Sequence, residues 1–259
     1  MEKFDIENQR RHFDKISAKY QAAIEKSSHV IISNKIWEEL FSQLPPNQHR
    51  TVILDAMCGA CYLYKKINMF FPGEFDYSGF DYSKEMVSYA RAKHPGIKIW
   101  EQDITTFIAP DKYDVIAING GLHHVHAHLD TVLNNIYSSL KPNGIFVSLE
   151  PTHNNIFFGL VRSCIYKTSA LFDQDTEKGF NCLELTNTIK SHGFVLEKQF
   201  FPGLFGYVLW YLPGLIHPII IGAPNFIKKY IDWEKRFWSG RVAKFFSFAT
   251  ASLYRKLEE

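Results

Sequence analysis

Charged side chains are missing from one long stretch of this 259-residue chain. Residues 199–227, QFFPGLFGYVLWYLPGLIHPIIIGAPNFI, contain no Asp, Glu, Lys or Arg. Length alone would let such a run cross a bilayer. Four prolines (202, 213, 218, 224) and four glycines (203, 206, 214, 222) interrupt it, however, and a lipid-exposed helix so broken would leave backbone groups unpaired. Cysteine is scarce: four in the whole chain exclude a disulfide framework. Excess charge is missing too, since the net value of +2 gives no footprint for non-specific nucleic-acid binding. The first residues, MEKFDIENQRRHFDK, have no apolar segment, so no secretory signal is expected, and the cytoplasm or the inner face of its membrane is the expected location. No internal repeat or low-complexity tract interrupts the chain. What is present is ordinary for a folded protein, 46% hydrophobic and 22% charged, apart from an aromatic share of 15% that gathers toward the C-terminus.

The middle of the chain alternates between two hydrophobic periods. TVILDA, FDYSGFD, KIWEQD, YDVIAIN and GIFVSLE read as strands. YLYKKINMF, SKEMVSYARAKH and HLDTVLNNIYSSL read as helices, the second capped by Ser83 and stopped at Pro95. Short connections between alternating β and α units predict an α/β fold with a parallel sheet covered on both faces. Upstream, Phe13, Ile16 and Tyr20 predict an amphipathic helix over 7–23, and a second helix is predicted over Ser33–Leu44, ended by Pro45 and Pro46. Downstream, helices are predicted over 155–171 and in CLELTNTIKSH, and strands in FVLEKQFF and FSFATASLYRK. The expected organisation is one domain over 1–259: cap helices in 1–48, a core in 49–150, and an acceptor side in 151–259 with an aromatic insert at 199–243.

Ligands of open α/β sheets bind outside the carboxyl ends of the strands. Asp55 closes the first predicted strand, and Gly59 lets backbone approach a ligand. Asp81 closes the second at the spacing expected of a ribose-binding acid, Asp103 the third, and Asn119-Gly120-Gly121 the fourth. Any one of them alone reads as a solvated turn residue, but all of them at consecutive strand ends argue for a site.

These stretches, with FDKISAKY, LDAMCGACY, GFDYSKEMVSYAR, EQDIT, YDVIAINGGLHHV and LKPNGIF in this order, resemble the class I S-adenosylmethionine (SAM)-dependent methyltransferases of the small-molecule type. The resemblance spans Phe13–Gly144 and returns weakly at SHGFVLEKQFF and ATASLYRK. It implies a Rossmann-like, seven-stranded, mostly parallel sheet with helices on both faces, N-terminal cap helices and a hydrophobic insert before the last strand, with SAM as cofactor. It implies that Asp55, Ala56, Met57 and Gly59 lie against the methionyl part and ribose, and that Asp81 binds the ribose hydroxyls. Tyr82 and Met86 would flank the adenine, and Asp103 with Ile104 would meet its amino edge. Asn119 and Gly120 would face the methionyl end, and Tyr20 would fold over the site. The family usually writes LDLGCGTG where this chain keeps one glycine of three, so Met57 is expected to fit only if it does not need positive φ or the ligand shifts slightly to avoid it.

Cys58 and Cys61 spell CxxC at a strand–helix junction, an arrangement also used by redox thiols. They could pair with His126 and His128 as zinc ligands. Because Cys58 belongs to the methyltransferase loop itself, small residues filling a tight turn is the favoured reading, with no metal. In-line methyl transfer draws most of its acceleration from alignment in a dry pocket, and a hydroxyl acceptor benefits from an imidazole base. His124 is the first candidate, then His123 and His153, each of which also reads as a buried structural histidine; His126 and His128 read as helix-terminal surface. The insert reads as a lid lining an apolar acceptor pocket or as a monotopic patch with Trp210, Tyr211, Trp233 and Trp238 at headgroup level and Lys228 and Lys229 outside. The expected reaction is methyl transfer, to oxygen, on a hydrophobic small molecule or a lipid- or glycan-linked intermediate, with peripheral membrane contact and no nucleic acid. The alternative is a non-catalytic protein of the same fold that binds a membrane or partner through the insert.

Overall fold

The computed structural model describes residues 11, 14, 22, 25–44, 49–152, 180–206, 210 and 224–257. Tyr20, His153, Tyr211, the predicted helix over 155–171 and most of those over 7–23 and of the uncharged run lie outside the described residues.

The strands are β1 Thr51–Ala56, β2 Phe75–Asp81, β3 Lys98–Glu101, β4 Tyr113–Asn119, β5 Leu140–Pro151, β6 Phe194–Phe200 and β7 Ala249–Lys256. They join in the order β3-β2-β1-β4-β5-β7-β6, with β7 antiparallel to both neighbours. Side chains alternate across this sheet and fill two cores, as buried parallel strands require. Ile53, Val115, Ala117, Ile145 and Val147 point to one face. Leu54, Ala56, Ile116, Ile118 and Phe146 point to the other. The first face is covered by α1 (Ser27–Ser42), α2 (Tyr62–Phe70) and α6 (Pro224–Glu234), through residues such as Ile36, Leu63 and Ile231. The second is covered by α4 (Leu129–Ser139) and α5 (Cys182–Ser191), through Leu133 and Ile189. Helix α3 (Lys84–Lys93) packs Val87 and Ala90 against Ile99, and α7 (Arg241–Phe246) leads into β7.

Several predictions of detail move. Helix α1 starts at Ser27, not Ser33, because Ser33 is buried within it and Lys26 stands at its N-cap. The last strand begins at Ala249, since Phe246 still belongs to α7. A 3-10 segment, Leu122–His128, kinked at Val125, precedes α4. The proposed headgroup tryptophans are corrected. Trp238 is buried, stacked on Phe200 with ring centroids 5.8 Å apart, and its Nε1 donates to the buried Glu234. Trp210 is also buried against Tyr230, and only Trp233 is exposed.

The strand order reverses between β1 and β4, where the loops after both strands open at the same rim. The register sets Asp55 beside Gly79 and Ala117, Asp81 beside Glu101, and Asn119 beside Leu149.

Candidate active site

The loop after β1 keeps the backbone of a glycine-rich turn with one glycine, Gly59. Met57, Gly59 and Cys61 all adopt left-handed conformations, with φ of 58°, 52° and 56°. Of the two ways in which Met57 was expected to fit, the one that avoids positive φ is excluded. Each non-glycine residue so held costs about 1 kcal/mol, and neighbours make the side chains fit. Gly121, in the loop after β4, faces Met57: a Cβ added there would lie 2.8 Å from Met57 Sδ. Gly79, on β2, faces Cys58: a Cβ there would lie 3.1 Å from Cys58 Sγ. The room that glycine usually provides within the loop is supplied here by its neighbours. Gly121→Ala is therefore expected to lower stability by about 1–3 kcal/mol, read as a fall in Tm. Met57→Ala in the same chain should recover part of that loss; absence of recovery would break the pairing.

Cys58 and Cys61 are free and buried, Sγ to Sγ 3.4 Å. Burial, then the hydrogen bond and charge of Cys61, push the Cys58 thiol up, the opposite of a redox-active thiolate. Among the described residues no group of three or more His, Cys, Asp or Glu is placed to hold a metal ion.

Asp55 is buried and accepts a hydrogen bond from the Tyr77 hydroxyl at 2.6 Å, and burial raises it to about 7. Asp81 accepts from the backbone N–H of Gly59 at 2.8 Å and of Ser83 at 2.9 Å, tying the β1 loop to the start of α3. Burial outweighs those bonds and raises it to about 6. Ser83 caps α3 through Met86 N–H and donates its hydroxyl to Asp14, so the N-terminal segment reaches this rim. Asp103 is half-buried and receives the N–H and hydroxyl of Thr105, both at 2.8 Å.

A pocket opens between these loops. It brings together Met57, Tyr82, Asp103, Ile104 and His124 of the expected residues, and adds Gln102 and Val125. Met57 forms part of its wall. Met86 is buried in α3, Ala56 is buried in the core, and neither lines that pocket; Asn119 is exposed at the end of β4 and does not line it either. Gly120 has positive φ, and its N–H donates to Leu149 O at 2.7 Å.

Glu150, the last acid of β5, was read in the sequence only as a strand residue. It is fully buried, and its Oε1 accepts the backbone N–H groups of Gly121 and Leu122, both at 2.9 Å. Its Oε2 lies 2.9 Å from His123 Nδ1. The available signal was its place, an acid closing a strand as Asp55 and Asp81 do. Burial raises Glu150 to about 8. The His123 and His124 rings lie 3.9 Å apart. His126 stacks on Phe180, and both it and His128 are exposed.

Glu150 gives a signed pH dependence. Its folded pKa lies above its value in the unfolded chain, so folding takes up a proton between about pH 4.5 and about 8. Its contribution is present below that window and is lost as pH rises through it. Melting of wild type and Glu150→Gln from pH 5 to about 8.5 should show a Tm difference that shifts in favour of the variant as pH rises; a difference moving the other way would contradict the burial argument.

Comparison with known proteins places this arrangement. Residues 53–144 match the family model described as "Methyltransferase domain". A search of the curated proteins gave no match. Among similar solved structures, a methyltransferase from Haloferax volcanii, in complex with the methyltransferase activator Trm112, has 16% identity and a TM-score of 0.66 over 96% of this chain and 98% of its own. A SAM-dependent methyltransferase from Thermotoga maritima has 13% identity and a TM-score of 0.64 over 95% and 99%. The cyclase SpnF has 12% identity and a TM-score of 0.59 over 96% and 95%, so the reaction has to be argued from the site. Fold and strand order are those of the class I SAM-dependent methyltransferases. More narrowly, the stretch that matches the methyltransferase-domain model, residues 53–144, contains the loops after β1 to β4.

Proposed function

We propose that the chain binds SAM at this rim and transfers its methyl group to an oxygen of a hydrophobic small molecule or a lipid- or glycan-linked acceptor. The observation that carries this is the gathering of the loops after β1, β2, β3 and β4 around one pocket, with the Asp81 carboxylate tying the β1 loop to α3. The residues fit an adenosyl group. A carboxylate has about four acceptor sites, so three backbone donors, Gly59, Tyr82 and Ser83, leave Asp81 room for a ribose hydroxyl. Asp103, Ile104 and Tyr82 offer a polar edge and flat apolar walls to adenine. Asp55 and the Met57–Gly59 backbone border the ribose and methionyl part, and Asn119 and Gly120 its far end. Tyr20 keeps the role of cover that the resemblance implies, and His153 that of alternative base. The chemistry a bound SAM supplies is a methyl group activated on a sulfonium sulfur.

The base is proposed to be His123 ahead of His124. His124 shares its pocket with Tyr82, Asp103 and Ile104, the adenine side. His123 borders the end of β4, its Cε1 3.9 Å from where a Gly120 Cβ would be. Glu150 holds its Nδ1 and so orients the ring; the ionised carboxylate would take Nδ1–H, the tautomer in which Nε2 can accept an acceptor's proton. Support for an apolar acceptor is the uncharged run and the buried cluster of Cys182, Phe201 and Ala243 beside it. The test is incubation with methyl-labelled SAM and fractionated lipid and small-molecule extracts. Label in an organic-soluble, base-stable ether or base-labile ester supports the reading, and label confined to water-soluble amines overturns the acceptor class.

A further inference from the structure

We propose that the outer face of α6 and α7 docks the protein on an anionic lipid surface. Phe226, Tyr230, Trp233 and Phe237 recur at i, i+4, i+7 and i+11 and make one continuous aromatic line. Neighbouring ring centroids are 5.8 Å apart for Tyr230–Trp233 and 5.1 Å for Trp233–Phe237, and Trp210 bridges Phe226 and Tyr230. The opposite side of the same helix is fixed in the core by Ile227, Ile231 and Glu234, whose carboxylate accepts the N–H of Gly206 at 2.8 Å. The line itself faces outward: Phe226, Trp233 and Phe237 are 57%, 51% and 46% exposed, and on α7 Val242 and Phe245 are 66% and 62% exposed. Single exposed apolar residues are ordinary, but five within twenty residues are a surface with a use.

Charge identifies the occupant. Residues 224–246 carry six Lys and Arg against Asp232 and the buried Glu234; of these Lys235 is paired with Glu39, and Lys228, Lys229 and Arg236 are exposed. Exposed Lys228 and Lys229 follow Phe226 and Ile227 directly, and exposed Arg236 precedes Phe237. Protein interfaces are depleted of lysine relative to the rest of the surface. Aromatic rings edged by Lys and Arg suit a membrane interface, where each cation near anionic headgroups adds about 1 kcal/mol. No described helix is long and apolar enough to cross a membrane, so docking on the surface is the mode left to this segment.

Location links the face to the site. Phe201 N–H donates to Trp238 O, and Phe248 N–H to Gly203 O, next to the paired Pro151 and Ala249. The docking face is therefore anchored at the rim where β5 and β6 end, the rim of the pocket. The inference deepens the proposed acceptor class, and its test does not depend on turnover.

Co-sedimentation tests it, using full-length protein with vesicles of phosphatidylcholine alone or with about one-third phosphatidylglycerol. Wild type is expected to pellet with the anionic vesicles and not the neutral ones. Trp233→Ser with Phe237→Ser, and separately Lys228→Glu with Lys229→Glu, should each weaken binding about tenfold or more. Because these side chains are exposed, Tm and SAM affinity should not change. Binding equal on neutral vesicles, no binding at all, or variants that bind like wild type would each overturn the proposal, as would a homodimer that the Trp233 change dissociates. Loss of SAM binding with vesicle binding kept would count against the site and leave the docking face standing.

Discussion

Asp81→Ala is expected to weaken SAM binding at least a hundredfold while the protein stays folded. Two losses add. The ribose hydroxyls lose a charged acceptor, and hydrogen bonds to charged groups are worth about 1.5–3 kcal/mol each. The N–H groups of Gly59 and Ser83 lose the carboxylate that ties the β1 loop to α3. Even about 3 kcal/mol in total is more than two powers of ten in Kd. Asp81→Asn keeps the shape and one acceptor oxygen, and should fall between wild type and alanine. The substitution also removes a buried acid raised to about 6, which limits its structural penalty near neutral pH. Calorimetric titration of the three proteins with SAM checks it; equal dissociation constants would mean that Asp81 only braces the loop.

The second large effect concerns His123 and Glu150. His123→Ala should lower turnover about a hundredfold or more, the usual range for a missing general base, with SAM affinity within about threefold of wild type. The rising limb of turnover against pH should disappear with it. Glu150→Gln keeps an acceptor for the loop N–H groups but changes what holds His123 Nδ1, so it should displace that limb rather than remove it. His124→Ala should do the reverse, raising the SAM dissociation constant and leaving saturated turnover near wild type, because His124 lies with the adenine-side residues. If His124→Ala stops turnover with SAM binding intact and His123→Ala does not, the assignment of the base is wrong.

The alternating pattern made the sheet legible in sequence. In YDVIAIN, Val115 and Ala117 go to one core and Ile116 and Ile118 to the other, and periodicity reads that directly. The acids at 55, 81 and 103 were legible because strand ends share a rim whatever the details of packing. The conformation of Met57 was not legible. Local sterics argue against positive φ for a side chain of that size, and the compensating space is at Gly121, sixty-four residues away. Glu150 was missed for a similar reason: its partners are the N–H groups of a loop on the neighbouring strand, and nothing adjacent in sequence marks it as paired. Trp238 was misplaced because an aromatic ring in an apolar segment suits a membrane interface and a core equally well. Its stacking on Phe200 decided for the core. Trp233, five residues earlier, points outward, a distinction the helical period draws only once the buried Ile231 and Glu234 are known.

The central claim is that the loops after β1, β2, β3 and β4 hold one adenosyl ligand. Calorimetric titration of the wild-type protein with S-adenosylhomocysteine tests it most directly, since the demethylated ligand occupies the site without turnover. One site per chain with a dissociation constant of about micromolar order, abolished by Asp81→Ala, is the predicted result. No heat and no change in Tm at a large excess of ligand would contradict it.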